Sequence, residues 1–195
     1  MSQTVSSADC LYSQRLNTPL GPMLAIADSG QLMLLEFETR KDLDGQLETL
    51  ARMESRTIAD EPNSVLRLVQ QELNAYFAGE LTHFSVPIKI QGSPFRESVW
   101  HELTRIGYGE TVSYQELGQR MGCPQAARAI GSANGHNRIA IIIPCHRVIR
   151  ADGSSGGYAG GTDHKQKLLE LESRHDHASV ASRSIGKSKP RKSIR

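Results

Sequence analysis

Apolar positions recur along this chain first at strand spacing and then at helix spacing. Residues 11–16, 23–27 and 32–37 are short apolar runs, separated by Pro19-Leu20-Gly21-Pro22 and Asp28-Ser29-Gly30. Runs of that length between Pro, Gly and Asp turns predict a β-meander. Residues 42–52 pattern as an amphipathic helix. Residues 63–78 do so more strongly, with Val65, Val69, Leu73 and Phe77 four apart and Gly79 at the expected stop. Residues 84–90 alternate enough to predict a further strand, and Gln91-Gly92-Ser93-Pro94 reads as a linker.

Beyond the linker the pattern turns helical. Residues 94–105 predict a helix with Ser93 as N-cap, Pro94 in its first turn, and Phe95, Val99, Leu103 and Ile106 along one face. Ser113 and Glu116 have the spacing of a capping box and start a short helix to about Met121. Gly122-Cys123-Pro124 is a turn, and residues 125–133 a second short helix, so the pair resembles a helix-turn-helix. The apolar run 139–143 predicts a buried strand ending at Pro144, with residues 148–150 extended beyond it. A glycine-rich loop over 151–161 and a final helix over 165–173 follow. From His177 the chain is rich in Ser, Lys and Arg, a composition expected to be disordered. The boundaries predicted are therefore 1–91, 92–176 and a basic tail, 177–195.

A length of 195 residues fits one large domain or two small ones. The net charge of +2 is unevenly spread: residues 1–91 hold 7 Lys/Arg against 12 Asp/Glu, residues 92–176 hold 10 against 9, and residues 177–195 hold 6 against none. A polyanion would therefore meet the later segments rather than the first. No apolar run reaches the length of a membrane span. The first residues lack the basic and apolar regions of a signal peptide, which points to the cytosol, or in a eukaryote the nucleus. Cys10, Cys123 and Cys145 form no CxxC pair, which argues against a disulfide framework and leaves a thiol free to react.

Cys145 lies in Ile143-Pro144-Cys145-His146-Arg147. Sulfur is nucleophilic as thiolate, and an ordinary thiol with a pKa of roughly 8.5 is only a few per cent ionised at neutral pH. A neighbouring histidine could accept its proton. Adjacent residues of a strand point to opposite faces, however, so contact needs a turn at Pro144 or a bridging water. Spacing alone leaves a buried structural cysteine as the alternative.

Pro144-Cys145-His146-Arg147-Val148-Ile149 resembles the active-site signature of the O6-alkylguanine-DNA alkyltransferases, also called methylated-DNA–protein-cysteine methyltransferases. In family order and spacing the chain also has Tyr114-Gln115-Glu116-Leu117, Ala126-Ala127-Arg128-Ala129-Ile130-Gly131, Asn134-Gly135-His136-Asn137, Gly157-Tyr158-Ala159-Gly160-Gly161 and Lys165 followed by Leu168, Leu169 and Glu172. The resemblance covers roughly residues 10–175. It implies an α+β protein: an N-terminal ribonuclease H-like α/β domain, then a mostly helical C-terminal domain carrying the helix-turn-helix and the active-site cysteine.

The resemblance also implies roles. Cys145 accepts the alkyl group, and His146 with Glu172 forms a relay that draws off its proton through a water. Asn137 braces the active-site turn, and Tyr114 donates to the leaving oxygen. Pro144, Val148, Tyr158, Ala159, Gly160 and Lys165 belong to the guanine pocket. No cofactor is implied, because a soft sulfur displaces at a saturated carbon unaided, and the thioether product makes the reaction a single event per molecule. Family members often carry serine where this chain has Ala159. They commonly have Glu-Trp after the lysine where this chain has Gln166-Lys167, a change expected to loosen Glu172.

An inward-facing oxygen of duplex DNA is reached only by flipping the nucleotide out. The small residues Ala126, Ala127, Ala129 and Gly131 suit close approach to the minor groove, whereas a major-groove reader would present Arg, Asn or Gln. By the resemblance, Arg128 fills the gap left by the flipped base, and Ser113 begins the supporting helix. Arg96, Arg138 and the basic tail are candidate phosphate contacts. The expected partner is double-stranded DNA carrying alkylated guanine, met by a monomer without membrane contact. O4-alkylthymine as a second substrate and cooperative binding along DNA stay open.

Some family members hold a structural zinc with two cysteines and two histidines in the N-terminal domain. Residues 1–91 offer only Cys10 and His83, too few for a closed four-ligand site, so no metal is predicted. Three other readings compete: a noncatalytic lesion binder, a helix-turn-helix regulator and a cysteine hydrolase. The first is opposed by the presence of Cys145, the second by the small residues of the second helix, and the third by the lack of an oxyanion-hole signature.

Overall fold

The computed structural model describes residues 10–184. The meander is present as β1 (Cys10–Thr18), β2 (Gly21–Ala27) and β3 (Leu32–Phe37), antiparallel in sequence order. α1 (Leu43–Glu54) leads to β4 (Thr57–Ala59), which joins the outer side of β1 in parallel and gives the sheet order β3-β2-β1-β4. The sequence gives no hint of β4, since three residues carry no readable period.

α2 (Ser64–Phe77) packs on β1 and β2. Its burial follows the expected stripe through Val65, Val69 and Leu73. The Asn63 side chain caps it by accepting from the Leu66 N–H at 2.9 Å, a contact that stabilises a helix by about 1 kcal/mol. Gly79 closes it at φ +77°, where a side chain would be strained.

The strand predicted over 84–90 does not form. The buried Glu72 carboxylate accepts from the Ser85 and Val86 N–H groups, so α2 rather than a neighbouring strand takes these donors. Pro87 has no N–H to give. One parallel bridge, Leu32 with Ile88, ties the segment to the free edge of β3.

The C-terminal half opens with α3 (Pro94–Leu103), whose N-cap Ser93 side chain accepts from Arg96 N. β5 (Val112–Ser113) runs into α4 (Tyr114–Arg120), and both halves of the Ser113–Glu116 capping box are made. α5 (Ala127–Gly135) packs on α4 and on α3, two residues later than predicted, and leaves Gln125 and Ala126 outside the helix.

The strand predicted over 139–143 is also absent. Only Ile139 bridges to a strand, to Leu35 on the same edge of β3. Ile141 then turns the chain at φ +70°, a conformation that costs a β-branched residue roughly 1–2 kcal/mol. The run is apolar because it is buried between the two halves, not because it is a strand. A single 3-10 turn, Cys145–Arg147, leads to β6 (Val148–Ile149), which pairs in parallel with β5.

α6 spans Thr162–Ser184. Residues 177–184, expected to be disordered, continue this helix. Lys187, Lys189, Arg191, Lys192 and Arg195 of the predicted tail, and residues 1–9, lie outside the described residues. No helix among the described residues is long and apolar enough to cross a membrane.

The architecture is thus α+β, a ribonuclease-like half followed by a helical half. Their junction is the free edge of β3. Leu35 N donates to Arg138 O at 2.8 Å, and Ala140 N donates to Leu35 O at 2.7 Å. The segment that leads into Cys145 is therefore hung on the sheet of the first half.

Candidate active site

Cys145, His146 and Arg147 are buried together in the 3-10 turn. Asn137 spans that turn: its Nδ2 donates to Ile143 O at 2.9 Å and to the Cys145 Sγ at 3.1 Å, while its Oδ1 accepts from Ile139 N at 3.0 Å. Asn134, on α5, donates to Cys145 O at 3.1 Å. Burial pushes the Cys145 thiol up to about 11, against the pull of Asn137. At neutral pH the resting sulfur is therefore a thiol, and a proton acceptor must act when it reacts.

His146 follows Cys145 in the turn, and its Nε2 lies 2.9 Å from Oε1 of Glu172. An ionised carboxylate only accepts, so Nε2 carries the proton and Nδ1 is left with its lone pair. Nδ1 is buried and has no protein partner. Burial lowers the His146 pKa despite the carboxylate, so the ring is neutral and able to take a proton at Nδ1.

Glu172, on α6, is the most heavily bonded carboxylate of the site. Oε1 accepts from His146 Nε2, from Arg147 Nη2 at 2.9 Å and from the Tyr76 hydroxyl at 2.7 Å. Oε2 accepts from Arg147 Nε at 2.8 Å and from Gly109 N at 3.2 Å. Burial alone would raise its pKa, but the hydrogen bonds of His146 and Arg147 and the Arg147 charge outweigh this and hold it well below the usual carboxylate range. Arg147 also donates to Ile106 O at 2.6 Å. The expected loosening by Gln166-Lys167 is not seen: both side chains are exposed, Gln166 bonds Glu170, and Glu172 is fixed from four residues.

Asn134, which bonds Cys145 O, also lines a cavity of 320 Å³ with Tyr114, Gly131, Gly135, Gly157, Tyr158 and Ala159. Tyr158 and Ala159 are expected in the guanine pocket, and Tyr114 as the donor to the leaving oxygen. Gly131 was predicted to meet DNA, and Asn134, Gly135 and Gly157 were not assigned to the pocket. Pro144, Val148, Gly160 and Lys165 do not line it. Lys165 is buried behind, donating to Val148 O at 2.5 Å, and burial lowers its pKa to about 8. A Cβ on Gly160 would sit 2.9 Å from the Phe37 ring and from the Tyr158 ring, so glycine is what lets the loop close on the first half. Pro144 faces a larger cleft, 690 Å³, on the other side of the turn, which neither Cys145 nor Tyr114 lines.

On α5, Arg128, Ala129 and Ser132 are exposed and Ala127 is half-buried, as is Ala126 just before it, and the first turn has no side-chain cap. The Ser113 hydroxyl is engaged as the α4 cap. Arg138, a candidate phosphate contact in the sequence, donates from Nε to Gln46 of α1.

Sequence reasoning missed what the first half contributes. Tyr76 reaches Glu172, and Arg40 donates to Asn137 O at 3.0 Å and to Gly135 O at 2.9 Å while paired with the buried Glu36. A buried Arg beside a strand end is the one local hint. The partners lie too far along the chain to be read from spacing.

Residues 94–174 match the family model described as 6-O-methylguanine DNA methyltransferase, DNA binding domain, and residues 11–90 match 6-O-methylguanine DNA methyltransferase, ribonuclease-like domain. A Mycobacterium tuberculosis methylated-DNA–protein-cysteine methyltransferase is 43% identical over 162 residues, 83% of this chain and 92% of that one. A protein of the same name from Mycolicibacterium paratuberculosis is 56% identical over 110 residues, 56% of this chain and 67% of its own length. The crystal structure of Mycobacterium tuberculosis OGT in complex with DNA superposes with a TM-score of 0.73 at 39% identity, covering 85% of this chain and 94% of that one.

Proposed function

The chain belongs to the 6-O-methylguanine DNA methyltransferase family, and from that premise we propose that it repairs duplex DNA by moving the alkyl group of O6-alkylguanine onto Cys145, once per molecule. The observation that carries the reading is a buried Cys145 followed by a His146 that Glu172 fixes, with Asn134 bonding Cys145 O and also lining the cavity of Tyr114, Tyr158 and Ala159.

The thiol proton passes to Nδ1 of His146 through a water, and the charge left on the imidazole is held by Glu172. Sγ attacks the alkyl carbon, the carbon–O6 bond breaks with its electron pair going to guanine, and Tyr114 protonates the departing base; solvent then returns a proton to Tyr114 and takes the one held by His146. The net reaction exchanges a thiol and an alkyl ether for a thioether and guanine, so no redox partner is required. Lys165, near neutrality in pKa and close behind Cys145, favours the same shift of charge. Ala159 offers no hydroxyl to the leaving oxygen, which places that duty on Tyr114 and backbone N–H groups. Nothing in the site activates water against a thioether.

The flipped base enters the cavity. The small side chains of α5 let the helix lie in the minor groove, and Arg128 occupies the place of the base. DNA is the partner, the protein acts as a monomer, and the reaction belongs in the compartment that holds the chromosome, the cytoplasm of a bacterial or archaeal cell. Mixing the protein with a methylguanine duplex should add the mass of one methyl exchange to the Cys145 peptide and then stop. Transfer beyond one equivalent, or a methyl found on another residue, would refute the proposal.

A further inference from the structure

We propose that Tyr76, in the ribonuclease-like half, is a positioning residue for alkyl transfer: its hydroxyl completes the set of donors that keeps Glu172 ionised and aimed at His146. The role rests on the alkyl-transfer reading above and goes beyond it, because it gives the first half a chemical duty as well as a scaffolding one.

Tyr76 lies in the last turn of α2, wholly buried, and its hydroxyl donates to Oε1 of Glu172 at 2.7 Å. That oxygen is also the one bonded by His146 Nε2 at 2.9 Å. The tyrosine thus touches the relay at the atom that orients the imidazole. Its ring is fixed on several sides, by Phe77, Phe84 and Tyr108 at centroid distances of 5.3, 5.4 and 5.9 Å. The hydroxyl has little freedom to find another acceptor. Burial and the adjacent Glu172 push its ionisation far above the ordinary tyrosine range, so it remains a donor at every working pH.

A donor to a buried carboxylate stabilises the ionised form. Arg147 and Gly109 hold the far oxygen, and Arg147 Nη2 approaches Oε1 as well. Among the described residues, only Tyr76 brings a hydrogen bond from the first half to this carboxylate. Its loss makes the His146–Glu172 pair more basic and lets the carboxylate turn. The first effect draws a proton onto the pair at higher pH, and the second leaves the imidazole less well aimed at the thiol.

The test is Tyr76→Phe, which keeps the ring and removes the hydroxyl. Single-turnover transfer from a methylguanine duplex would be followed across pH, alongside DNA affinity and the final stoichiometry. The expected result is one methyl per Cys145 as in the unaltered protein, unchanged DNA affinity, a rate about tenfold lower, and an acid limb of the pH–rate profile moved upward. A charge-assisted hydrogen bond accounts for a change of that order. A purely structural role would lower thermal stability without moving the limb. Filling position 76 with 3-fluorotyrosine, a stronger donor of nearly the same size, should move the limb downward, and it answers the question even if the phenylalanine variant folds poorly. A limb that stays in place in both proteins would overturn the role of Tyr76 while leaving alkyl transfer standing. Failure of the unaltered protein to transfer any methyl would overturn both.

Discussion

Replacing Glu172 with glutamine tests the centre of the site most directly. The glutamine has nearly the same shape, but it leaves the buried Arg147 guanidinium without its carboxylate and points an amide N–H₂ at groups that themselves donate. Breaking a buried pair by removing one partner is destabilising by about 3–5 kcal/mol. For a chain of this size each kcal/mol moves the melting temperature by about 2–4 °C. Glu172→Gln should therefore melt roughly 6–20 °C lower at pH 7, read by circular dichroism. The same change removes the group that fixes His146 Nε2, so transfer from a methylguanine duplex should fall by at least about a hundredfold, as it does when a buried orienting carboxylate is neutralised in a triad.

A second variant separates the two effects. Adding Arg147→Met to Glu172→Gln removes the orphaned charge, and a buried pair exchanged for groups of similar volume is often near neutral in stability. The double variant should regain most of the lost melting temperature and none of the lost rate. The pH dependence follows from the depressed pKa of Glu172. A carboxylate held below its unfolded value contributes stability above that value, about pH 4.3, and loses it as pH falls through the folded one. The gap between the parent and Glu172→Gln should accordingly narrow on acidification below about pH 4. A single variant that melts with the parent, or a double variant that regains transfer, would refute this account of the site.

Three further outcomes are expected. Reaction of the DNA-free protein with iodoacetamide should increase with pH toward a midpoint near the thiol value of about 11, and a plateau below pH 9 would show an ionised resting sulfur instead. Arg128→Ala should slow transfer from duplex DNA by about tenfold to a hundredfold, the scale of losing support for an unstacked base, yet leave transfer from free O6-benzylguanine unchanged; equal losses on both would remove its role in flipping. Gly160→Ala should destabilise by roughly 1–3 kcal/mol through the clash with Phe37 and Tyr158, and an unaltered melting temperature would show that the loop yields freely.

Local signals were read well wherever they act locally. The meander, the stripe and Gly79 stop of α2, and the Ser113–Glu116 capping box all depend on neighbours within a few residues. The two phantom strands share another cause. Residues 84–90 and 139–143 have strand-like patterns, but Glu72 and Asn137 side chains take the backbone groups a ladder would need. An apolar run also looks the same whether it is a strand or an irregular segment buried between domains. α6 outran its prediction because its later turns carry no apolar stripe to mark them. At the site, Cys145, His146, Asn137 and Glu172 were visible as a motif set. Tyr76, Arg40 and Gly109 were not, since Tyr76 and Arg40 meet the site only by packing across the junction and Gly109 lies 63 residues from the carboxylate it bonds.

The position of Glu172 on the last helix also sets a clock. During synthesis Cys145 emerges before Glu172, and at about 5–20 residues per second the interval between them is roughly one to five seconds. On the proposed mechanism the nascent chain then holds the thiol and the histidine without the carboxylate that orients them, and a product that stops short of α6 would be inert. With one reaction per molecule, as proposed, a cell's repair capacity is counted in completed chains, and α6 is where the count is made.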